Sequence, residues 1–513
     1  MRTRRVPRGG EVRADGVARP IAFKGSGRMG MFRWVAALAI LCSCFPQARG
    51  AGQDGPFRAG AATVNITPPL GQPIVGGFSP VPATYVRDEL HTRCLVLDDG
   101  RRKLAILLSD NVGIPREVHD AAKAWIDAET GIPPGDVLSA STHTHSATSA
   151  RGENKVVAAK ELTEYQRFVA RRMADCARIA LGNLEPAKIA WGRAEEPEEV
   201  FNRRWYVRDE SLLQNPFGGI DRVRMNPPRG SEALIEPAGP VDPEIAFVSV
   251  RSRDGRPICL LANYSLHYVG GVPSGHISAD YFGAFARRIG PAIGAEPHEP
   301  EFVGILSNGT SGNINNIDFR SAGERTAPYE KIERVASRLA SLVAESERGA
   351  AFHDRATLDA RLVEVTLGVR KPSPEQIEWA KGIRAKLAEG QPKVSDRDRV
   401  YCARIEQLAS ESPDEIRVPV QAIRIGPLGI AALPFEVFVE TGLSLKKERP
   451  MDSAFTIELA NGSFGYLPTA DHHALGGYET WIGTCNVEVG AAARLEQRVL
   501  ELWRGMREAD GNR

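Results

Sequence analysis

A bias of charge toward one sign is what this sequence most clearly lacks. Its 513 residues carry Lys+Arg 65 against Asp+Glu 64, a formal net charge of +1, so there is no basic footprint for nucleic acid. Beyond the first fifty residues no run approaches the roughly 20 apolar residues that a membrane-spanning helix needs. Cysteine is sparse. Of seven, two precede residue 50, leaving Cys94, Cys176, Cys259, Cys402 and Cys485. These five are odd in number, widely spaced and free of C-x-x-C pairs, which argues against a zinc ribbon or a dense disulfide framework. They read as small buried side chains. Phosphate loops of the G-x-x-x-x-G-K-[ST] kind, internal repeats and low-complexity linkers are also missing. What is present is ordinary globular composition, 42% hydrophobic and 25% charged, with Gly 50 and Pro 35 high enough to favour many loops and turns.

Residues 1–50 read as a leader rather than as part of the fold. The first thirty are Arg- and Gly-rich without hydrophobic periodicity, and Met29 and Met31 are alternative starts. From Met31 a short basic segment precedes the apolar run Trp34 to Phe45, followed by small residues at Ala48 and Gly50. That is the layout of a secretory signal over about 31–50, so the protein is expected to be secreted or periplasmic. Leu41-Cys42-Ser43-Cys44 is a degenerate lipoprotein cleavage site with Cys42 out of place, leaving lipid anchoring as a minor alternative.

The remaining chain, 51–513, alternates strand-like and helix-like segments. Thr92 to Leu97 and Leu104 to Ser109 are strand-like, Glu117 to Glu129 is an amphipathic helix, and Val137 to His143 returns as a strand. In the next helix, Thr163 to Leu181, Tyr165, Val169, Met173, Cys176 and Ala180 fall on one face. Residues 206–240, rich in Pro, Gly and Arg, read as a long functional loop. Residues 373–411 read as a helical excursion, and Val418 to Ile425 with Leu428 to Leu433 as a hairpin across Gly426-Pro427. The expected fold class is α/β, one large mixed-sheet catalytic domain with helices on both faces.

Ser141-Thr142-His143-Thr144-His145-Ser146 is the stretch with the most chemistry. On extended backbone, positions i and i+2 leave one face, so His143 and His145 are expected to project together from a strand end. Three further apolar runs end in ligand-type residues: His267, Glu436 and Tyr466. Residues just past strand carboxyl ends are the ones that converge in open α/β sheets. Two imidazoles, a carboxylate and a phenol form a set suited to zinc, although each alone reads equally well as a strand cap, a surface ion pair or a core aromatic. Asp110 at a strand end is a candidate to orient a ligand histidine. His276 and Asp280 follow His267, with helix capping by Asp280 as an alternative. His472-His473 reads as a polar turn.

Taken together, these segments resemble the neutral, non-lysosomal ceramidase family. The resemblance covers Ile66-Thr67-Pro68, Thr142 to Ser146, Asn202-Arg203, the segment ending at His267, Gly312-Asn313-Ile314-Asn315, Leu433 to Val437, and the pair Tyr466 and Tyr478, in that order. It implies one Zn2+ per chain held by His143, His267, Glu436 and Tyr466. It further implies His145 as substrate contact and proton carrier, with Arg203 and Tyr478 stabilising an oxyanion. Two departures stand out. The family's serine in G-D-[VL]-S-P-N is replaced by Asn315 and the preceding acid by Asn313, while Ser311 lies four positions earlier. An amide donates a hydrogen bond but does not attack a carbonyl, so Asn315 is a substrate contact at most. The family's C-terminal immunoglobulin-like domain is also expected to be missing.

The resulting expectation is an exported zinc-dependent amidohydrolase that cleaves a carboxamide by a metal-activated water. The substrate would be an N-acyl lipid such as ceramide, or a related amide or ester. Its partners would be a small-molecule or lipid substrate and a peripheral membrane surface, with no nucleic acid and no transmembrane span after signal removal. Two alternatives stand beside it: a non-catalytic exported binding protein that keeps the metal cleft, and a metal-dependent hydrolase of another ester or a glycan.

Overall fold

The computed structural model describes residues 55–77, 79–150, 161–323, 325–390 and 394–511. The expected leader and signal lie outside the described residues. Eight strands form one mixed sheet: β1 Arg58–Asn65, β2 His91–Asp98, β3 Lys103–Ser109, β4 Val137–Ser141, β5 Glu185–Glu195, β6 Glu244–Ser252, β7 Pro257–Tyr264 and β8 Val303–Asn308. Their spatial order is β8-β7-β6-β5-β1-β2-β3-β4. A second, four-stranded sheet is β9 Leu358–Gly368, β10 Glu415–Ile425, β11 Leu428–Ala432 and β12 Ser453–Ile457, in that order.

Alternation along the strands decides how the sheets stack. Leu95 and Leu97 of β2, Leu104, Ile106 and Leu108 of β3, and Val248 of β6 face Ile423 of β10, Ile430 of β11 and Phe455 of β12 in one core. Their neighbours Cys94, Val96, Ala105 and Leu107 face the opposite way. A period of two therefore gives each sheet one face for the other sheet and one for helices. On the eight-stranded sheet those helices are α1 Arg116–Thr130, α2 Glu164–Gly182, α3 Asp280–Ala292 and α4 Glu330–Arg348. The four-stranded sheet carries α5 Pro374–Ala388, α6 Asp396–Ser410, α7 Val439–Glu448 and, after the short α8 Ala470–Leu475, α9 Ala491–Gly511. Helices thus cover both outer faces of the stack, as the α/β pattern predicts.

Local sequence explains most of these elements. In α1, Val118, Ala122 and Ile126 recur every four residues and are buried, and Gly131 ends the helix in the left-handed region. α2 opens on a capping box, Thr163 accepting from the Gln166 backbone while the Gln166 side chain accepts from the Thr163 backbone. β3, α1 and β4 form the expected βαβ unit with parallel strands. The 206–240 segment differs from expectation. It contributes a three-stranded sheet of Arg204–Val207, Arg224–Met225 and Leu234–Pro237. Strands of two to four residues are too short to show a period among prolines and glycines.

The two edges of the large sheet meet. β8 lies against β2, β3 and β4. Glu458 to Asn461, directly after β12, joins them: Glu458 N donates to Asn308 O at the end of β8, Ser141 N donates to Leu459 O, and Asn461 N donates to Ser139 O. This closure brings the carboxyl ends of β4, β7 and β8 to one place.

Candidate metal centre

Three imidazoles occupy that place. Strand β4 stops at Ser141, two residues short of the predicted end, and His143 has φ +72°. The i, i+2 argument therefore does not apply. His143 and His145 meet because the chain turns at His143 into a conformation rare for a residue with a Cβ, of the kind that clusters at functional sites. His143 Nε2 lies 3.0 Å from both His267 Nε2 and His145 Nε2. Glu436 Oε2 is 3.4 Å from His143 Nε2.

The opposite nitrogens fix the tautomers. His143 Nδ1 lies 2.5 Å from Val112 O, His145 Nδ1 2.8 Å from Gly76 O, and His267 Nδ1 3.0 Å from Ser311 O. A carbonyl only accepts, so each Nδ1 carries the proton and each Nε2 presents a lone pair to the others. Burial, with the neighbouring His143 and Arg203, keeps His267 well below the usual imidazole range and hence neutral. Three lone pairs aimed at one another repel unless a cation lies among them. The donor set therefore fits a metal ion, and all three ring nitrogens lie within 4.8 Å of one another. His143 and His267 are fully buried, whereas His145 is partly open and stacked on Tyr268 at 3.9 Å between ring centroids.

Glu436 and Tyr466 are brought in as a pair. Glu436–Val437 and Tyr466–Leu467 form a parallel two-residue ladder, with Glu436 opposite Tyr466. Burial, then the charge of the neighbouring Glu436, pushes the Tyr466 phenol well up. Arg203 Nη2 donates to Tyr466 Oη at 3.1 Å and to Gly312 O at 2.7 Å, and its Nε donates to Glu479 Oε1 at 2.8 Å. Arg204 Nη1 donates to the other Glu479 oxygen at 2.7 Å. Burial raises the Glu479 pKa, but the two guanidiniums outweigh it and hold the carboxyl below its ordinary value. Tyr478 stands against Tyr466 edge-on, with centroids 5.9 Å apart. It is aimed by Gly477, whose φ of +91° and contact with the Arg204 guanidinium leave no room for a Cβ.

Other expectations fall differently. Asp110 accepts from His91 N at 2.9 Å and pairs with Arg93 at 2.8 Å. It orients none of the three histidines, whose anchors are backbone carbonyls. His276 bonds the Tyr329 hydroxyl. Asp280 accepts from Val269 N at 3.0 Å and Gly270 N at 2.9 Å, fixing the loop after His267. His472 lies on α8 and bonds Glu440 at 2.9 Å. Asn315 Nδ2 donates to Asn226 Oδ1 at 3.1 Å from a two-residue strand paired with Phe201–Asn202. Asn313, the acid's replacement, holds Glu440 and accepts from Val439 N.

One residue escaped sequence reasoning. Buried Glu458 accepts from Ser311 Oγ at 2.7 Å and from Val437 N at 2.7 Å, tying the loop behind His267 to the strand bearing Glu436. Ser311 itself sits on the Nδ1 side of His267, with Oγ 3.3 Å from that nitrogen. An acid ending the apolar run Phe455-Thr456-Ile457 was the available signal for Glu458.

No protein-family model matches the sequence, and no curated protein does. Solved structures do. Neutral ceramidase from Pseudomonas aeruginosa aligns with a TM-score of 0.65 and 17% identity, covering 89% of this chain and 75% of that one. A ceramidase complexed with C2 gives the same score and identity over 89% of this chain and 76% of that one. The fold is ceramidase-like.

Proposed function

From the premise of a ceramidase-like fold, we propose that the protein is an exported zinc-dependent amidohydrolase acting on a carboxamide of the N-acyl lipid class. The observation that carries this reading is the trio of unprotonated Nε2 atoms around a buried carboxylate. His143, His267 and Glu436, the fully buried members, would hold the ion, with Tyr466 as the fourth donor. When bound, zinc supplies Lewis acidity toward a carbonyl and lowers the pKa of water toward about 7. His145, the member open to the cleft, takes the proton at Nε2 and returns it to the leaving amine, its ring kept in place by Gly76 O and Tyr268. Arg203 keeps its charge and lends a guanidinium beside the Tyr466 hydroxyl, and Tyr478 adds a phenolic donor where negative charge develops on the carbonyl oxygen.

The test is metal content and turnover measured together. Purified protein should carry one equivalent of zinc and hydrolyse N-acyl amides, lose activity with chelator and regain it with zinc. His143→Ala and His267→Ala should lose both metal and turnover. Absence of stoichiometric metal at neutral pH would overturn the proposal. Zinc without hydrolysis of any amide, ester or glycoside would instead identify a binding protein.

A further inference from the structure

His145 is held by two groups outside the metal's donor set, the Gly76 carbonyl and the Tyr268 ring. Gly76 follows the short strand Pro73–Ile74, which pairs antiparallel with Val81–Pro82. This strap runs beside the chain just past His145: Ile74 bridges Thr148, and Val75 N donates to Ala147 O at 3.1 Å. It lies so close that a Cβ on Gly76 would stand 2.1 Å from His145 O and 2.9 Å from His145 Cβ. Gly76 is not in the left-handed region, so the close approach, rather than a turn, is what requires glycine there. The same approach brings Gly76 O to His145 Nδ1 at 2.8 Å.

Tyr268 covers one face of the same imidazole, with the two planes 18° apart and the centroids at 3.9 Å. His143, by contrast, meets His145 and His267 edge-on, at 89° and 87°. The chain after Tyr268 is fixed from outside the trio. Val269 N and Gly270 N donate to the two oxygens of Asp280, and Asn316 Nδ2 donates to Val269 O at 2.7 Å.

A ring anchored at Nδ1 and covered on one face has its tautomer and its direction set before substrate arrives. Amide cleavage depends on this more than cleavage of an activated ester. An amine leaves with a proton, which Nε2 delivers as the C–N bond breaks, whereas a nitrophenolate leaves as the anion and needs none. We propose that Gly76 and Tyr268 are positioning residues for this proton return, and so set the preference of the site for amides over activated esters. The inference rests on the amidohydrolase reading for its chemistry. It adds the groups that direct the proton: the strap decides which nitrogen is free, and the Tyr268 ring decides where it points.

The test compares dodecanoylethanolamide with para-nitrophenyl dodecanoate, which share the acyl chain and differ in the leaving group. In metal-replete Gly76→Ala and Tyr268→Leu, kcat for the amide should fall by about 10–100-fold, the scale of a misplaced catalytic group. The ratio of amide to ester kcat should fall by at least about tenfold, with KM and zinc content unchanged. Tyr268→Phe keeps the flat face and should restore the parental ratio. Tyr268 is partly exposed, so its variants keep the comparison open if Gly76→Ala does not fold. Equal losses on both substrates, an unchanged ratio, or Tyr268→Phe behaving like Tyr268→Leu overturns the inference. If the parent leaves the amide uncut, the amidohydrolase reading fails separately, and NMR spectra of isotope-labelled histidine in the intact protein decide the positioning. A single Nδ1–H tautomer of His145 in the parent, lost in either variant, supports it. An Nε2–H tautomer in the parent, or one tautomer unchanged in both variants, overturns it.

Discussion

His143 Nε2 and His267 Nε2 lie 3.0 Å apart although the strands preceding them, β4 and β7, run in opposite senses in the sheet order. A flat sheet would hold their carboxyl ends at opposite edges. Neighbouring strands rotate by roughly 20–25° each, so from β7 to β4 the six steps accumulate to about 120–150°. A rotation of that size turns opposed strands most of the way to parallel. The Glu458–Asn461 segment then pins the curled edges, with Leu459 and Asn461 both at positive φ where it bends. The site is a product of sheet twist as much as of its ligands.

Ser311 should not be a nucleophile. Its hydroxyl donates to Glu458 and sits on the Nδ1 side of His267, away from the nitrogens that face the cleft. Its backbone carbonyl, which anchors the ring, survives substitution. Ser311→Ala is therefore expected to keep kcat/KM within about tenfold of the parent, whereas Glu458→Ala, which releases both Ser311 and Val437, should weaken metal affinity by about 10–100-fold. Competition with a graded chelator measures the second effect. Loss of turnover in Ser311→Ala with metal content intact would reinstate the serine.

Sequence reading served best where structure is local. α1 was expected over 117–129 and runs Arg116–Thr130, because one apolar face and a left-handed Gly131 mark it out. The β10–β11 hairpin follows from Gly426, at φ +59°, between two apolar runs. His143, His145, His267, Glu436 and Tyr466 were legible as ligand types at the ends of apolar runs, and the chain brings them together. What was not legible depends on distant partners. The anchors of the three rings are carbonyls of Val112, Gly76 and Ser311, which no residue type announces. Arg203 was expected to meet substrate, yet the Glu479 carboxylate shared with Arg204 comes from 276 residues away.

That shared carboxylate should be a strong stability determinant. Glu479 is fully buried and accepts from Arg203 and Arg204 through separate oxygens. Glutamine keeps the shape but removes the charge and one acceptor, leaving two buried guanidiniums partly uncompensated. Glu479→Gln is expected to cost about 3–5 kcal/mol in urea unfolding, the range for breaking a buried pair. A loss below about 1 kcal/mol would mean that Gly312, Gly476 and Tyr466 already satisfy the guanidiniums.

Lys123 supplies a pH signature. It is buried on α1, and its Nζ donates to Asn461 Oδ1 at 2.7 Å in the segment that joins the sheet edges. Burial lowers its pKa from 10.5 to about 7. Between those two values the unfolded chain binds the proton and the folded chain does not, so this residue makes stability rise with pH across that window. Below pH about 7 both states are charged and the full penalty of a buried ammonium applies. Lys123→Met removes the titration and leaves Asn461 Oδ1 with the Ser139 N–H at 3.3 Å. Relative to the parent, the variant should be most stabilised near pH 6, with the advantage shrinking steadily up to the lysine's ordinary range. Melting temperatures of both proteins across that pH span measure the difference. A difference that stays constant with pH would show that Lys123 does not change its protonation on folding.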